Sequence, residues 1–339
     1  MTILPSERMT VMSDLHRNDS RAVVYAGMST AIAVILSMIG LYMPFLYIVA
    51  FLLIPLPIVY LAIMQGIRWA VIVTIGVIIL DAVFFGIVSA ASVGAWCGVL
   101  GIVLGACYRY RISAVKTLLA SGVVVLSAWA VEIMLTSFMM GIGYDKFFEN
   151  IKTSMELYSQ YLSQFYSGEM LEQAQANMKT FMENFIKGFP FAVGAAALMY
   201  SWIVMALSKE VFNRLGVKDI PSFPPIERWE MPKITVYIYL VGVAMHYAGT
   251  PAGMIAVYMG NFAPYLESVG YNLTAMGMFL FWLQGAAVVC WSPRRLPVMR
   301  SLKWIVIIFG IISPVLQFML FYVGLFDLVL GYRQKRNYQ

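Results

Sequence analysis

Long apolar segments alternate with short polar ones along most of the chain. Each apolar segment has about 20 residues, the length that a helix rising 1.5 Å per residue needs to cross a hydrocarbon layer of ~30 Å. Open strands would leave unpaired backbone groups in lipid, so the crossings are helical. The pattern predicts an all-α polytopic integral membrane bundle with transmembrane helices at 22–43, 45–64, 69–88, 90–108, 117–140, 188–207, 234–250, 269–291 and 304–330.

Polar stretches divide this bundle into segments. They are an N-terminal segment 1–21, a six-helix bundle 22–208, a connector 209–233, a three-helix extension 234–330 and a basic tail 331–339. The N-terminal segment precedes an apolar run too long for a signal peptide, so it is expected to be retained. Within 144–187 the apolar residues recur at helical spacing and predict an amphipathic outer hairpin, which either lies on the membrane surface or covers a pocket.

Composition and charge support a membrane location. The chain has 339 residues, of which 61% are hydrophobic and 12% are charged, so a water-soluble fold is excluded. With the N-terminus in the cytoplasm, sixteen of the 23 Lys and Arg residues fall on the cytoplasmic side, as the positive-inside rule requires for a cell-membrane protein. The net charge of +6 is therefore attributed to topology rather than to nucleic acid binding.

The tail does not fit this topology. Nine crossings place it outside, although it carries Arg333, Lys335 and Arg336. Either the tail is an exception to the rule or the number of crossings is even. A broken final segment at Pro314 is compatible with the second alternative, but 27 residues are short for two full crossings.

Four ionisable residues lie within the predicted helices: Asp81, Glu132, His246 and Asp327. A charged group in the membrane costs roughly 2.5 kcal/mol or more, so each calls for a reason. By helical rise, the first three lie about 18–23 Å from the inner ends of their helices, in the outer half. Asp327 is expected to snorkel to the outer interface.

Two interpretations of these groups stay open. In one, Asp81 and Glu132 are hydrogen-bonded between helices or reach outer water, and His246 is a packed side chain. In the other, they converge on an outward-facing cavity for a small organic ligand, which would be cationic or rich in donors, or coupled to protons. The aromatic residues expected at similar depth are Phe84, Phe85, Trp96, Trp129 and Tyr247.

The sequence indicates no catalytic, cofactor or metal site. Cys97, Cys107 and Cys290 fall in apolar segments without metal-binding spacing. No phosphate-binding loop, zinc-protease motif or nucleophile elbow occurs in the sequence. An intramembrane enzyme ranks third among the hypotheses, because dispersed carboxylates and a single histidine lack the paired geometry of acid–base catalysis.

Small residues mark two helices for close packing. Gly94, Gly98, Gly101 and Gly105 line the fourth span, where they allow close approach of a neighbouring helix. In the first span the small residues Ala22, Ala26, Gly27, Ala31 and Ala33 serve either internal packing or docking of a partner subunit.

Several short motifs together resemble a known family. They are Leu53–Pro57, the glycine-rich fourth span, the connector from Phe223 ending in Glu230, Met231 and Pro232, the run Leu283–Ala286, and Gly324–Asp327. In order and spacing they look like the YybS-like family of bacterial membrane proteins, which has no settled activity and whose first six helices are similar to S subunits of energy-coupling-factor vitamin transporters.

The resemblance implies a ligand near the outer face and contact of Ala22, Ala26 and Ala31 with a coupling subunit. It also implies a regulatory or assembly partnership, since genes of the family often neighbour one for a membrane-bound cyclic-dinucleotide phosphodiesterase. S subunits end after six helices, whereas this chain continues for three more. Two hypotheses follow: a solute-binding subunit whose partners supply energy, and a regulatory or assembly subunit that binds another membrane protein.

Overall fold

The computed structural model describes residues 5–140, 144–217, 219–250, 256–291, 306–307, 309–310, 313–331 and 333. Every regular element in those ranges is helical. Among the described residues, seven segments are long and apolar enough to cross a membrane, and Ile234–Gly249 and Pro314–Leu330 are shorter apolar helices. The predicted all-α polytopic membrane bundle is confirmed. The basic loop 294–303 and tail residues 334–339 lie outside the described residues.

The chain forms two compact units. Unit 1 comprises Met1–Tyr158 and Gly194–Phe223, and unit 2 comprises Ser159–Val193 and Pro224–Gln339. The later boundary falls inside the predicted connector 209–233. Residues 159–193, which the sequence analysis assigned to the six-helix bundle, group with the C-terminal helices instead.

Unit 1 contains most of the N-terminal helices. They are α1 (Pro5–Tyr42), α2 (Tyr47–Leu53), α3 (Pro55–Met64), α4 (Ile67–Phe85), α5 (Ile87–Val93), α6 (Val99–Arg109) and α7 (Ala114–Met140). Pro55 separates α2 from α3, as its missing N–H predicts. A positive φ at Gly86 ends α4, a conformation that glycine adopts without steric cost.

The glycines of the predicted fourth span pack against neighbouring helices within unit 1. A methyl group at Gly105 would overlap Cβ of Ala62, and one at Gly101 would lie 2.8 Å from Cβ of Ile58. The backbones of α6 and α3 are therefore in close contact, and the interpretation of these glycines as packing residues agrees with the structure.

Two long helices follow: α8 (Tyr144–Phe165) and α9 (Glu169–Arg214). A turn with positive φ at Gly168 joins them, as the hairpin prediction requires. The start of the predicted span at residue 188 falls inside one helix, because α9 continues for 46 residues with Pro190 inside it.

Unit 2 is centred on α10 (Ile234–Gly249), the short α11 (Ala256–Met259), α12 (Ala263–Trp291) and the last described helix, α13 (Pro314–Leu330). Glycines bring α10 and α12 into backbone contact along an antiparallel crossing. A methyl at Gly242 would lie 2.6 Å from the Thr274 nitrogen, and one at Gly277 would lie 2.7 Å from Cβ of Tyr239. Phe281 and Phe321 fill the core between α12 and α13.

The final predicted span, 304–330, is wrong as a single helix. Ser313 is extended, with φ −92° and ψ 118°, and α13 begins at the following proline. Proline fits the first turn of a helix but cannot continue one, because it lacks the N–H that a helix interior requires. The apolar stretch is therefore broken at Ser313.

Candidate functional site

The interior of unit 1 contains a carboxylic acid without a partner. Asp81 lies on α4 and is 0% exposed. Neither of its carboxyl oxygens has a hydrogen-bond partner among the described residues. The Ser37 hydroxyl lies close enough to Asp81 to interact with it, but its hydrogen bond of 3.2 Å goes to the carbonyl of Ala33. A buried polar group without a hydrogen bond costs free energy, so packing alone gives no reason for a carboxyl at this position.

An aromatic cluster surrounds Trp96 in the same unit. Trp96 lies in the π-helical segment Gly94–Gly98 between α5 and α6, and such wide turns occur frequently at functional sites. Its ring centroid lies 5.4 Å from Phe51, 5.5 Å from Trp129 and 5.4 Å from Tyr200. Its indole Nε1 is buried and has no acceptor among the described residues.

A second carboxylate lies beside this cluster. Glu132 on α7 is half-buried and accepts a hydrogen bond of 3.2 Å from the Ser92 hydroxyl. Cys97 lies within electrostatic range of both Asp81 and Glu132. Cys97 follows Trp96 directly and Trp129 packs against Trp96, so Asp81, Glu132, Trp96 and Trp129 are grouped here as the Trp96 site.

No basic side chain is available to neutralise these carboxylates from the spans of unit 1. The sequence has no Lys or Arg at 22–67, 69–108, 117–140 or 188–208. Arg109, at the end of α6, donates to the carbonyl of Ile63 at 3.0 Å and thereby caps α3. The Trp96 site is therefore acidic and aromatic.

Phe84 and Phe85 form a different group. The Phe85 ring lies 5.9 Å from Tyr42 on α1 and 6.1 Å from Phe84. Phe84 is 57% exposed. Both residues are at the end of α4, one turn beyond Asp81, and the Phe85 contacts run towards α1 rather than towards Trp96.

His246 and Tyr247 belong to unit 2. The Nδ1 atom of His246 is 3.4 Å from the carbonyl of Glu267, and its ring packs edge-on against Tyr271 at 5.6 Å. Tyr247 is exposed on α10. Glu267 also forms an ion pair of 2.8 Å with Lys187. His246 is thus packed against neighbouring side chains, as the simpler of the two interpretations expected.

Asn272 explains how α9 passes Pro190. Its Oδ1 accepts from the Phe191 N–H at 2.9 Å, and its Nδ2 donates to the Lys187 carbonyl at 2.7 Å. In a regular helix these two backbone groups would bond to each other. The Asn272 amide bridges both groups beside the proline, so the helix bends without leaving them unpaired.

The small residues of α1 face two ways. Ala22 and Ala26 are buried, and Ala26 belongs to a core cluster with Val73 and Val77 of α4. Ala31 is exposed, and a methyl group at Gly27 would meet nothing within 4 Å. Of the three residues assigned to a partner contact, Ala31 is therefore on an outward surface.

The prediction that Asp327 snorkels is wrong. Asp327 is buried on α13 and its carboxylate accepts from Arg333 Nε at 2.8 Å and from Gln284 Nε2 at 2.7 Å. Arg333, which the sequence analysis treated as a tail charge, is 3% exposed. A left-handed Gly331, with φ 64°, turns the chain back and brings Arg333 to the carboxylate.

Some residues of the Trp96 site were missed from the sequence: Phe51, Tyr200, Ser92 and Cys97. The Tyr200 hydroxyl donates to the Phe51 carbonyl at 2.8 Å, which joins α9 to α2. The signals that the sequence carries are intramembrane charges and aromatic residues at the same estimated depth. Helical rise gives the depth of a residue but not the face on which it lies, so partners on other helices had no usable signal.

Among the described residues, no three His, Cys, Asp or Glu side chains come together that could hold a metal ion. Comparison with known proteins gives the family of the chain but no activity. No curated protein matches it, and no solved structure matches it. A family model described as a predicted membrane protein, DUF2232, matches residues 31–328. The chain, with its buried acids and its helical membrane fold, belongs to the DUF2232 family of membrane proteins.

Proposed function

We propose that the protein is a solute-binding subunit of a membrane transport system, similar to the S subunits of energy-coupling-factor transporters, and that the Trp96 site holds the solute. The observation that carries the proposal is the buried Asp81 carboxyl without a partner. A buried carboxyl without hydrogen bonds lowers the stability of the protein when the site is empty. It strengthens binding when a ligand supplies those hydrogen bonds.

The chemistry of the site limits the ligand. Among the described residues, the two acceptor oxygens of Asp81 and the Nε1 donor of Trp96 have no partner, and Glu132 adds a second carboxylate. Aromatic faces attract cations and stack against flat rings. The expected ligand is a small organic molecule with a cationic or donor-rich group and a flat apolar part, which the protein binds without transforming.

Substitutions in the site test this proposal. Wild type and variants are purified from native membranes, and the small molecules that co-purify are identified and quantified by mass spectrometry. Glu132→Gln should lower the retained ligand about tenfold or more, because it weakens a charged contact. Trp96→Phe keeps a ring and removes the donor, and should lower retention about two- to tenfold.

Trp69→Phe is the matched control, because Trp69 lies twelve residues before Asp81 on α4, about 18 Å away along the helix. It should retain the ligand at the wild-type level. Equal retention in Glu132→Gln, Trp96→Phe and Trp69→Phe would remove the Trp96 site from the proposal.

A second candidate is a regulatory or assembly subunit that binds another membrane protein, such as a membrane-bound phosphodiesterase. Gly27 and Ala31 favour it, since they are one helical turn apart on the outward face of α1, and such small residues let a partner helix approach closely. Ala31→Leu should then abolish co-purification of a stoichiometric partner. The control is Tyr25→Phe, which alters an exposed position about 120° around the helix from Ala31 and should not affect the partner.

A further inference from the structure

Arg333 bonds three residues of unit 2 at once. Its Nε donates to the Asp327 carboxylate at 2.8 Å, and its backbone N–H donates to the other oxygen of the same carboxylate at 3.1 Å. Its Nη2 donates to the Trp229 carbonyl at 2.9 Å, and its Nη1 donates to the Glu227 carbonyl at 3.3 Å. One side chain therefore joins the end of α13 to the connector.

The unit 2 part of the connector, residues 224–233, depends on these contacts because it has little regular structure of its own. It contains one short 3-10 turn, Ile226–Arg228, and prolines at 224, 225 and 232 remove backbone donors. The Met231 N–H donates to Gln284 Oε1 at 2.9 Å, and Gln284 in turn donates to Asp327 at 2.7 Å. Arg333 and Gln284, the two residues that bond to the connector, are thus both bonded to the Asp327 carboxylate.

The buried Asp327 carboxylate needs only one cationic partner to be neutralised. Asp327 and Arg333 neutralise each other directly, and the two contacts from Arg333 to connector carbonyls are additional to that pairing. A small cavity of about 30 Å³, the volume of one water molecule, lies beside the pair and is lined by Glu230, Met231, Lys233 and Gln284 among others. The space between the connector and the pair therefore admits a water molecule.

We propose that Arg333 is a latch that closes the connector residues 226–233 onto the ends of α12 and α13. Opening of the latch frees residues 331–333 and the connector together, because one guanidinium holds both. This device lies wholly in unit 2 and does not depend on the solute site in unit 1.

Hydrogen–deuterium exchange of the full-length protein in detergent tests the latch. In Arg333→Gln, the amides of 226–233 should exchange about tenfold faster or more, since charge-assisted bonds are lost there. Peptides from α4 should keep their wild-type rate. Arg228→Gln removes the same charge from an exposed position on the connector and should leave the exchange of 226–233 unchanged.

Two further variants separate a latch from a simple stabilising pair. Asp327→Asn combined with Arg333→Gln removes both buried charges. This double variant should be more stable than Arg333→Gln alone, while the amides of 226–233 should still exchange fast. Arg333→Lys keeps the charge on one nitrogen instead of three, so it cannot bond to the carboxylate and to both connector carbonyls together. It should also speed amide exchange at 226–233. Wild-type exchange at 226–233 in the double variant, or in any folded variant without Arg333, would overturn the proposal.

Discussion

Gly324 of α13 lies directly against Phe281 of α12, and a methyl group on Gly324 would overlap the carbonyl oxygen of Phe281. The two helices therefore meet backbone to backbone. Gly285 makes the reciprocal contact with the carbonyl of Leu320. This crossing places Gln284 beside Asp327, so the polar network of unit 2 depends on it.

The first prediction follows from that crossing. Gly324→Ala should lower the free energy of unfolding by about 1–3 kcal/mol, the usual cost of overpacking, measured by thermal or denaturant unfolding in detergent. Gly194→Ala is the matched control, because nothing lies within 4 Å of a methyl group there. In a helix that control should be neutral or stabilising. Equal effects of the two substitutions would contradict the close crossing.

The second prediction concerns Asn272 and Pro190. Asn272→Ala removes the bridge to Phe191 and Lys187 and should destabilise the protein by about 1–3 kcal/mol, because two partly buried backbone groups lose their partner. In a Pro190→Ala background those groups can bond to each other, so the cost of Asn272→Ala should fall. A double-mutant cycle measures this coupling. Strict additivity would show that Asn272 does not serve the proline bend.

The third prediction concerns the membrane side of the tail. Arg333 contacts the connector directly, so the chain emerges from α13 at the connector end of unit 2. A cysteine at Glu230 and one appended after Gln339, in a background without native cysteines, should both react with an impermeant reagent from the same membrane face. Labelling from opposite faces would contradict this placement.

The same contact bears on the number of crossings. A tail on the connector side implies an even number of crossings between residues 233 and 331, and it places Arg333 with the basic connector, as the positive-inside rule favours. The orientation of the N-terminus stays a prediction.

The fourth prediction separates a functional role of Asp81 from a structural one. Asp81→Leu removes a buried carboxyl that has no partner, so the ligand-free protein should gain about 1–3 kcal/mol of stability. Thr74→Val is the control, since the buried Thr74 hydroxyl bonds to the Ala70 carbonyl at 2.9 Å and contributes little net stability. A large loss of stability in Asp81→Leu would mean that Asp81 supports the fold.

Hydrophobic length predicted most of the fold. A run such as 69–88 closely matches α4, because any helix that crosses lipid must satisfy its backbone internally over a fixed distance. Hydrophobic length does not reveal where tertiary contacts continue or break a helix. It gave no sign that Asn272 carries α9 unbroken past Pro190, and it ran one span through Ser313.

The candidate site was predicted in part. Asp81, Glu132, Trp96 and Trp129 were found because charge and large aromatics are rare or costly at those depths. Tyr200 and Phe51 were not found, because their contacts with Trp96 link residues far apart in the sequence. Arg333 was taken for a tail charge, since nothing in its local sequence reveals that Gly331 turns the chain back towards Asp327.

The most direct test of the central claim is native mass spectrometry of the protein extracted from its own membranes, comparing wild type with Asp81→Asn and with Glu149→Gln at an exposed position. The account predicts one defined small-molecule adduct on wild type and Glu149→Gln that is lost from folded Asp81→Asn. Reproducible absence of any adduct from wild type, with a protein subunit bound in its place, would contradict it.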